Sequence, residues 1–204
     1  RKGLLFFVLQ IAVAVAFASD NIVIAQILGP EAVTQYSVPM KMFSIVSIVL
    51  SMVLNPLWPA YGESIARGDL KWVKRTLYQS LIITFAVTTV GAIILTIFGV
   101  QLIHLWTGSQ VTPAFLLLLG LGVWTVLSGC GNALAMFLNG ANLLKFQVIM
   151  AVTMASTSIV VKITWANSIG ISGIIWGTVC TYIAFTILPC LVFVPRFISN
   201  LSKE

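Results

Sequence analysis

The sequence predicts an all-α integral membrane protein, a bundle of six transmembrane helices, on three observations. The first is composition: of 204 residues, 59% are hydrophobic and only 8% are charged, whereas soluble domains are about 25% charged. So few charges cannot cover a water-exposed surface of this size, and lipid must be most of the solvent. The second is a set of six apolar runs, each long enough for the roughly 20 helical residues that cross a bilayer: residues 4–28, 32–64, 72–102, 113–138, 144–165 and 171–195. The third is that the basic residues collect at alternate ends of these runs. Nothing in residues 1–204 resembles a soluble domain or a linker, so the whole length is assigned to one membrane unit.

Charge placement sets the expected sidedness. With a cytoplasmic N-terminus, Arg1, Lys2, Arg67, Lys71, Lys74, Arg75, Lys145, Arg196 and Lys203 lie on or near that side, nine of the eleven Lys and Arg residues. The opposite connections, around 29–34, 101–112 and 167–172, hold none. Loops rich in Lys and Arg stay cytoplasmic, so both termini are expected there and the number of spans is even. The net charge of +6 is loop punctuation, not the basic face by which a soluble domain binds nucleic acid. No nucleic-acid partner is expected.

The first run opens on Arg1-Lys2 and contains Ala16-Phe17-Ala18, an imitation of a secretory signal and its cleavage site. Apolar residues resume at Ile22 and five more runs follow, so it is assigned as a retained span. It stops at Gly29-Pro30, a pair that ends a helix and permits a tight turn. The second run holds Pro39, Pro56 and Pro59. Proline inside a helix removes a backbone hydrogen bond and bends it, so a bend is expected as the chain leaves the membrane, with Trp58 and Tyr61 anchored at headgroup level. From Ser64 to Lys74 the charge-dense stretch predicts an amphipathic surface segment, broken near Gly68 before the third span.

The fourth span is Gly-rich and places Thr125, Ser128, Asn132 and Asn139 on one helical face by spacings of three, four and seven. On the fifth, Gln147 and Ser158 share a face, with Lys162 one turn further. On the sixth, Gly173 and Gly177 form a G-x-x-x-G pattern that lets a neighbouring helix approach closely.

Polar residues within apolar spans are the informative exceptions. An ionised Asp or Lys at mid-span costs about 2.5 to 3.5 kcal/mol on insertion scales. Asp20 lies roughly 12 Å from the end of the first span and Lys41 about as far into the second, so the turn between them sets both at nearly one depth. Two readings stay open for them: a structural ion pair, or a cavity lining that meets substrate or a coupling ion. Lys162, near the outer end of the fifth span, either snorkels outward or joins that lining. Asn21, sharing a face with Gln10, and the fourth-span stripe complete the set, although singly such residues serve as well for interhelical hydrogen bonds. The candidate substrate or ion pathway is therefore Asp20, Asn21, Lys41, Ser128, Asn132 and Lys162.

No catalytic residues are assigned. Asp20, Glu31, Glu63, Asp69 and Glu204 are the only acidic residues, and no two are spaced to share a helix face within the membrane. A Gly-Lys-Ser/Thr phosphate loop and a G-x-S-x-G elbow are both missing. Cys130, Cys180 and Cys190 are odd in number and lack C-x-x-C spacing, so they form neither a disulfide framework nor a zinc site and are assigned as small core residues. With His104 the single histidine, no metal and no cofactor are expected.

Asp20-Asn21-Ile22-Val23-Ile24-Ala25, followed by Leu28-Gly29, Val33 and Tyr36-Ser37-Val38, resembles the first helix pair of a lobe in polysaccharide flippases. Asn55-Pro56-Leu57-Trp58-Pro59-Ala60-Tyr61, with Arg67-Gly68-Asp69 after it, resembles the end of the next helix and its cytoplasmic loop. The resemblance is to the O-antigen and polysaccharide exporters of the multidrug/oligosaccharidyl-lipid/polysaccharide (MOP) exporter superfamily. It implies one six-helix lobe of a fold in which two lobes flank a central cavity and alternate between inward- and outward-open states. It further implies a polyprenyl-diphosphate-linked oligosaccharide as substrate and the bacterial inner membrane, with its lipids, as surroundings. A second six-helix lobe or a second copy would be the partner. One lobe's worth of helices predicts a C-terminal half or a truncated reading of a longer transporter. A cationic lumen for the diphosphate would draw on Lys41 and Lys162. The alternatives are a cation-coupled multidrug antiporter of the same superfamily, with Asp20 as its cation site, and a membrane-embedded enzyme of lipid-linked sugar metabolism.

Overall fold

The six apolar runs become six helical passes of membrane length, Gly3–Ile27, Pro30–Ala66, Leu70–Thr107, Phe115–Gly140, Leu144–Ile169 and Ile171–Leu201. The computed structural model describes residues 2–108 and 110–201. Arg1, Lys203, Glu204 and the side chain of Lys2, all invoked above, lie outside the described residues. The elements in order are α1 (Lys2–Ile27), α2 (Pro30–Leu54), α3 (Leu57–Ala66), α4 (Leu70–Thr107), α5 (Phe115–Gly140), α6 (Leu144–Ile169) and α7 (Ile171–Tyr182). A π-helical turn (Ile183–Ile187) and α8 (Leu188–Leu201) complete the sixth pass.

Local chemistry sets the boundaries. Gly29 adopts φ 90° and Pro30 opens α2 at its first turn, where a missing N–H costs nothing and the fixed φ suits a helix. The bend expected at Pro56 is an interruption between α2 and α3. Gly68 turns the chain at φ +74°, and the Asp69 carboxylate then caps α4 by accepting from the Trp72 N–H at 3.0 Å, satisfying one of the free donors of the first turn. At 38 residues, α4 is about 57 Å long and outreaches the roughly 30 Å hydrocarbon core.

Tyr61 departs from its expected place at the headgroups. It is fully buried, its hydroxyl 3.4 Å from the Ser80 Oγ and its ring edge-on to Trp72 and Phe137. The reason is that α3 folds back against α5 and α4 instead of lying in the interface, while Trp58, nearly one turn earlier, stays exposed. The cysteines also split. Cys190 is buried and Cys130 half-buried, as small core residues should be, but Cys180 is exposed.

Packing centres on α5, which touches α2, α3, α4 and α7, while α1 lies along α6. Two large apolar clusters result, with a smaller one of Ala16, Met154 and Ala155 where α1 meets α6. One gathers Tyr36, Phe43, Ile103, Leu117 and Ile174 at the end of the bundle near Gly29 and Gly170. The other gathers Leu54, Tyr61, Val73, Phe137 and Ile198 at the opposite end. Outward faces such as Ile82, Phe85, Val90 and Ile94 on α4 are exposed and apolar, as lipid contact requires.

Gly173 and Gly177 sit where α7 crosses α6: a Cβ at Gly173 would press into the backbone carbonyl of Trp165, and one at Gly177 would meet Val161 and Lys162. Backbone cannot yield as a side-chain tip can. Gly173→Ala should therefore destabilise the chain by about 1–3 kcal/mol, read as a lower thermal midpoint of the detergent-purified protein. Gly3→Ala, where nothing lies within 4 Å, should cause no such loss.

Candidate functional site

The centre of the site is a charge cluster buried between three helices. The Lys162 ammonium lies 2.5 Å from Asp20 Oδ1 and donates to the Ala16 carbonyl at 2.6 Å. Tyr36 donates its hydroxyl proton to Asp20 Oδ2 at 2.7 Å. Lys162 is 0% exposed, Tyr36 2% and Asp20 4%. Each charge thus has the partner without which burial would be prohibitive.

Depth explains why these residues meet. The first and fifth passes cross in the same direction, with Asp20 seven residues before the end of α1 at Ile27 and Lys162 seven before the end of α6 at Ile169. Equal rise per residue puts both at one level along the α1–α6 contact. Across the Gly29 turn, Asp20 and Tyr36 lie eight residues either side of Leu28, again at one level.

The expected Asp20–Lys41 pairing does not form. Lys41 is exposed, and the ammonium on Asp20 is that of Lys162. The depth matching named the wrong helix, since the ammonium comes from α6, and Lys41 lies about 7.5 Å beyond the level of Tyr36. Lys41 follows Tyr36 by five residues, which rotates it about 140° around α2, away from the α1 face. Lys162, for its part, does not snorkel outward. Asn21, adjacent to Asp20, is exposed as well, and so is Gln10.

Between the two apolar clusters the bundle is hollow. A cavity of about 260 Å³ is lined by Ser128 and Asn132 of α5, Gln147 and Met154 of α6, Ala16 and Phe17 of α1, and Trp124, Tyr182 and Thr186. Asp20 and Lys162 border this region through Ala16 and do not themselves open into it. The polar stripe of α5 divides. Ser128 and Asn132 face the cavity, and Asn139 accepts from the Gln147 Nε2 at 2.9 Å. Thr125 is buried and bonds back to the Leu121 carbonyl at 2.8 Å.

The sixth pass reaches the cavity through Tyr182, Thr186 and Cys190, around the π-helical turn. That widening sits directly before Pro189, which supplies no N–H and whose ring crowds the carbonyl four residues earlier, that of Phe185. Tyr36, Trp124 and Tyr182 were not among the sequence candidates. An aromatic residue in an apolar span gives no sign of facing a cavity or a charge.

Chemically, the site offers amide and hydroxyl groups on a mostly apolar wall beside a neutralised charge cluster. Among the described residues, no group of three or more His, Cys, Asp or Glu converges to hold a metal ion. The arrangement suits accommodating a molecule with polar and apolar parts.

Replacing only one member of the Asp20–Lys162 pair leaves the other charge buried and alone, which costs about 3–5 kcal/mol. Asp20→Asn or Lys162→Met should each reduce the folded yield in detergent extracts, and the double variant should recover most of it. Asp20→Asn combined with Lys41→Gln should show no recovery. Equal yields for the single and double variants would refute the coupling.

The MatE family matches residues 6–164, more than three quarters of the chain. A protein of Salmonella typhimurium named "Putative O-antigen transporter" is 22% identical over 183 residues, covering 89% of this chain and 43% of that protein. The chain therefore spans less than half the length of this relative. No solved structure matches. The six membrane-length helices and the family match identify a multi-pass membrane protein of a transporter family. The chain belongs to the MatE family, within the MOP exporter superfamily, and has the all-helical fold of its transporters.

Proposed function

We propose that the chain is one lobe of an alternating-access flippase that moves a polyprenyl-diphosphate-linked oligosaccharide across the bacterial inner membrane, with both termini in the cytoplasm. The observation that carries this reading is Lys41. It is exposed about 16 Å into the second pass, near the middle of a roughly 30 Å core. It has no carboxylate partner among the described residues. Against lipid such a lysine is costly, and intramembrane charges that avoid lipid face water-filled paths. A second six-helix lobe or a second copy across that face would enclose a hydrated space.

A cation at mid-membrane attracts an anionic diphosphate, and the likeness to a protein named for O-antigen supports a saccharide cargo. In this division of labour Asp20 and Lys162 hold helices together, Ser128 and Asn132 offer polar contacts inside the lobe, and Lys41 meets the ligand. Asp20 is already engaged by Lys162 and Tyr36, which weighs against the antiporter alternative.

In the whole transporter, Lys41→Gln should reach the membrane at normal abundance and lower polysaccharide export about tenfold or more, the factor for losing one hydrogen bond to a charged group. Lys41→Arg should keep part of the activity, since charge survives and geometry changes. Full export by Lys41→Gln would remove this residue from the pathway.

Sidedness is tested separately in a variant lacking native cysteines. Gln110→Cys should react with an impermeant maleimide in intact spheroplasts, and Lys71→Cys only after permeabilisation. Labelling of both from one side would sink the topology.

A further inference from the structure

Outside the candidate pathway, a second concavity lies on the lipid-facing side of the bundle. α4 and the end of the sixth pass diverge there and leave a groove of about 780 Å³, floored by Cys130 and Leu134 of α5. Its walls are apolar, with Leu77, Leu81 and Phe85 facing Leu191, Val194 and Ile198. Polar groups occur at one end only, where Lys74 and Tyr78 of α4 lie opposite Ser199.

Two independent lengths define what fits. On α4 the lining runs from Lys74 to Ala86, and on the antiparallel sixth pass from Ser199 back to Ile187. Each interval is twelve residues, about 18 Å at helical rise. That matches one leaflet, about half of a 30 Å hydrocarbon core, together with a little of the headgroup region. With Lys74 at the membrane surface, such a groove would stop near the midplane.

The charge at its mouth completes the description. Lys74 and Arg75 are exposed and have no carboxylate partner among the described residues. Arg75 lines a shallow depression with Gln79 that shares Tyr78 and Ile82 with the groove. We propose that this groove binds an anionic phospholipid, one acyl chain lying between α4 and α8 and the phosphate held by Lys74 with Arg75 alongside. A leaflet-length apolar slot with cations at its surface end has the shape and charge of such a lipid. A protein segment would not require the cations at the mouth. The proposal does not depend on the transported substrate.

The test uses the whole chain in vesicles of equal parts phosphatidylglycerol and phosphatidylcholine, with a diazirine on the acyl chain of one lipid or the other. Phosphatidylglycerol should label peptides covering 77–86 and 187–198 in preference to phosphatidylcholine. Lys74→Gln should cut that labelling about fivefold, the factor for one cation near an anionic surface. Lys145→Gln, outside the groove, should not. Ala86→Trp, which fills the inner end, should lower labelling by both lipids, and millimolar inorganic phosphate should displace neither. Equal labelling by the two lipids, indifference to Lys74→Gln, or displacement by phosphate would each overturn the proposal.

Discussion

A carboxylate and an ammonium cannot be left separately in a low-dielectric interior, and the requirement that they meet fixes much of this bundle. Asp20 and Lys162 are 142 residues apart in sequence and belong to α1 and α6, so their contact sets the register of the first pass against the fifth. Tyr36 ties the second pass to the same carboxylate. A pair of this kind adds little stability over well-packed apolar residues. Its effect is on specificity: sliding α1 along α6 by one turn, about 5.4 Å, would strand both charges. Apolar helices in lipid have many nearly equivalent ways to pack, and this contact selects among them.

Around that fixed register the interior is uneven. Apolar side chains close both ends of the bundle, and between them a mostly apolar cavity carries the polar groups of Ser128, Asn132, Gln147 and Thr186. Gly129 and Gly131 of α5 are buried against Thr88 and Tyr182, so the central helix approaches its neighbours closely where it has no side chain. Ser128, Gly131 and Asn132 together line the cavity on the face towards Tyr182, while Gly129 meets Thr88 of α4, and α4 presents its other, apolar side outward.

The sequence disclosed the spans because a membrane imposes a length and a composition that few other environments do. It disclosed that Asp20 and Lys162 matter because charge is rare inside spans. It did not disclose that they are partners. The fifth run was read as ending at Trp165, whereas α6 continues to Ile169, and those extra residues conceal the equal depth of Lys162 and Asp20. Lys41 sits about 7.5 Å past the level of Asp20's true neighbour Tyr36, and depth in any case says nothing of the direction a side chain takes around its helix. Tyr61 was misplaced for a related reason. An amphipathic tyrosine suits an interface, but here α3 turns inward and its hydroxyl finds Ser80.

The π-helical turn before Pro189 has a mechanical meaning. An α-helix resists bending because each hydrogen bond restrains a whole turn, and proline has already removed one of those restraints. The sixth pass is therefore two stiff rods, α7 and α8, meeting at a compliant joint beside the cavity. α7 is clamped to α6 through its glycines, and α8 is held to the bundle by Phe193 against Phe146 and Phe197 against Phe137. Relative movement of these two anchored segments would be taken up at Ile183–Ile187, where the backbone is least restrained.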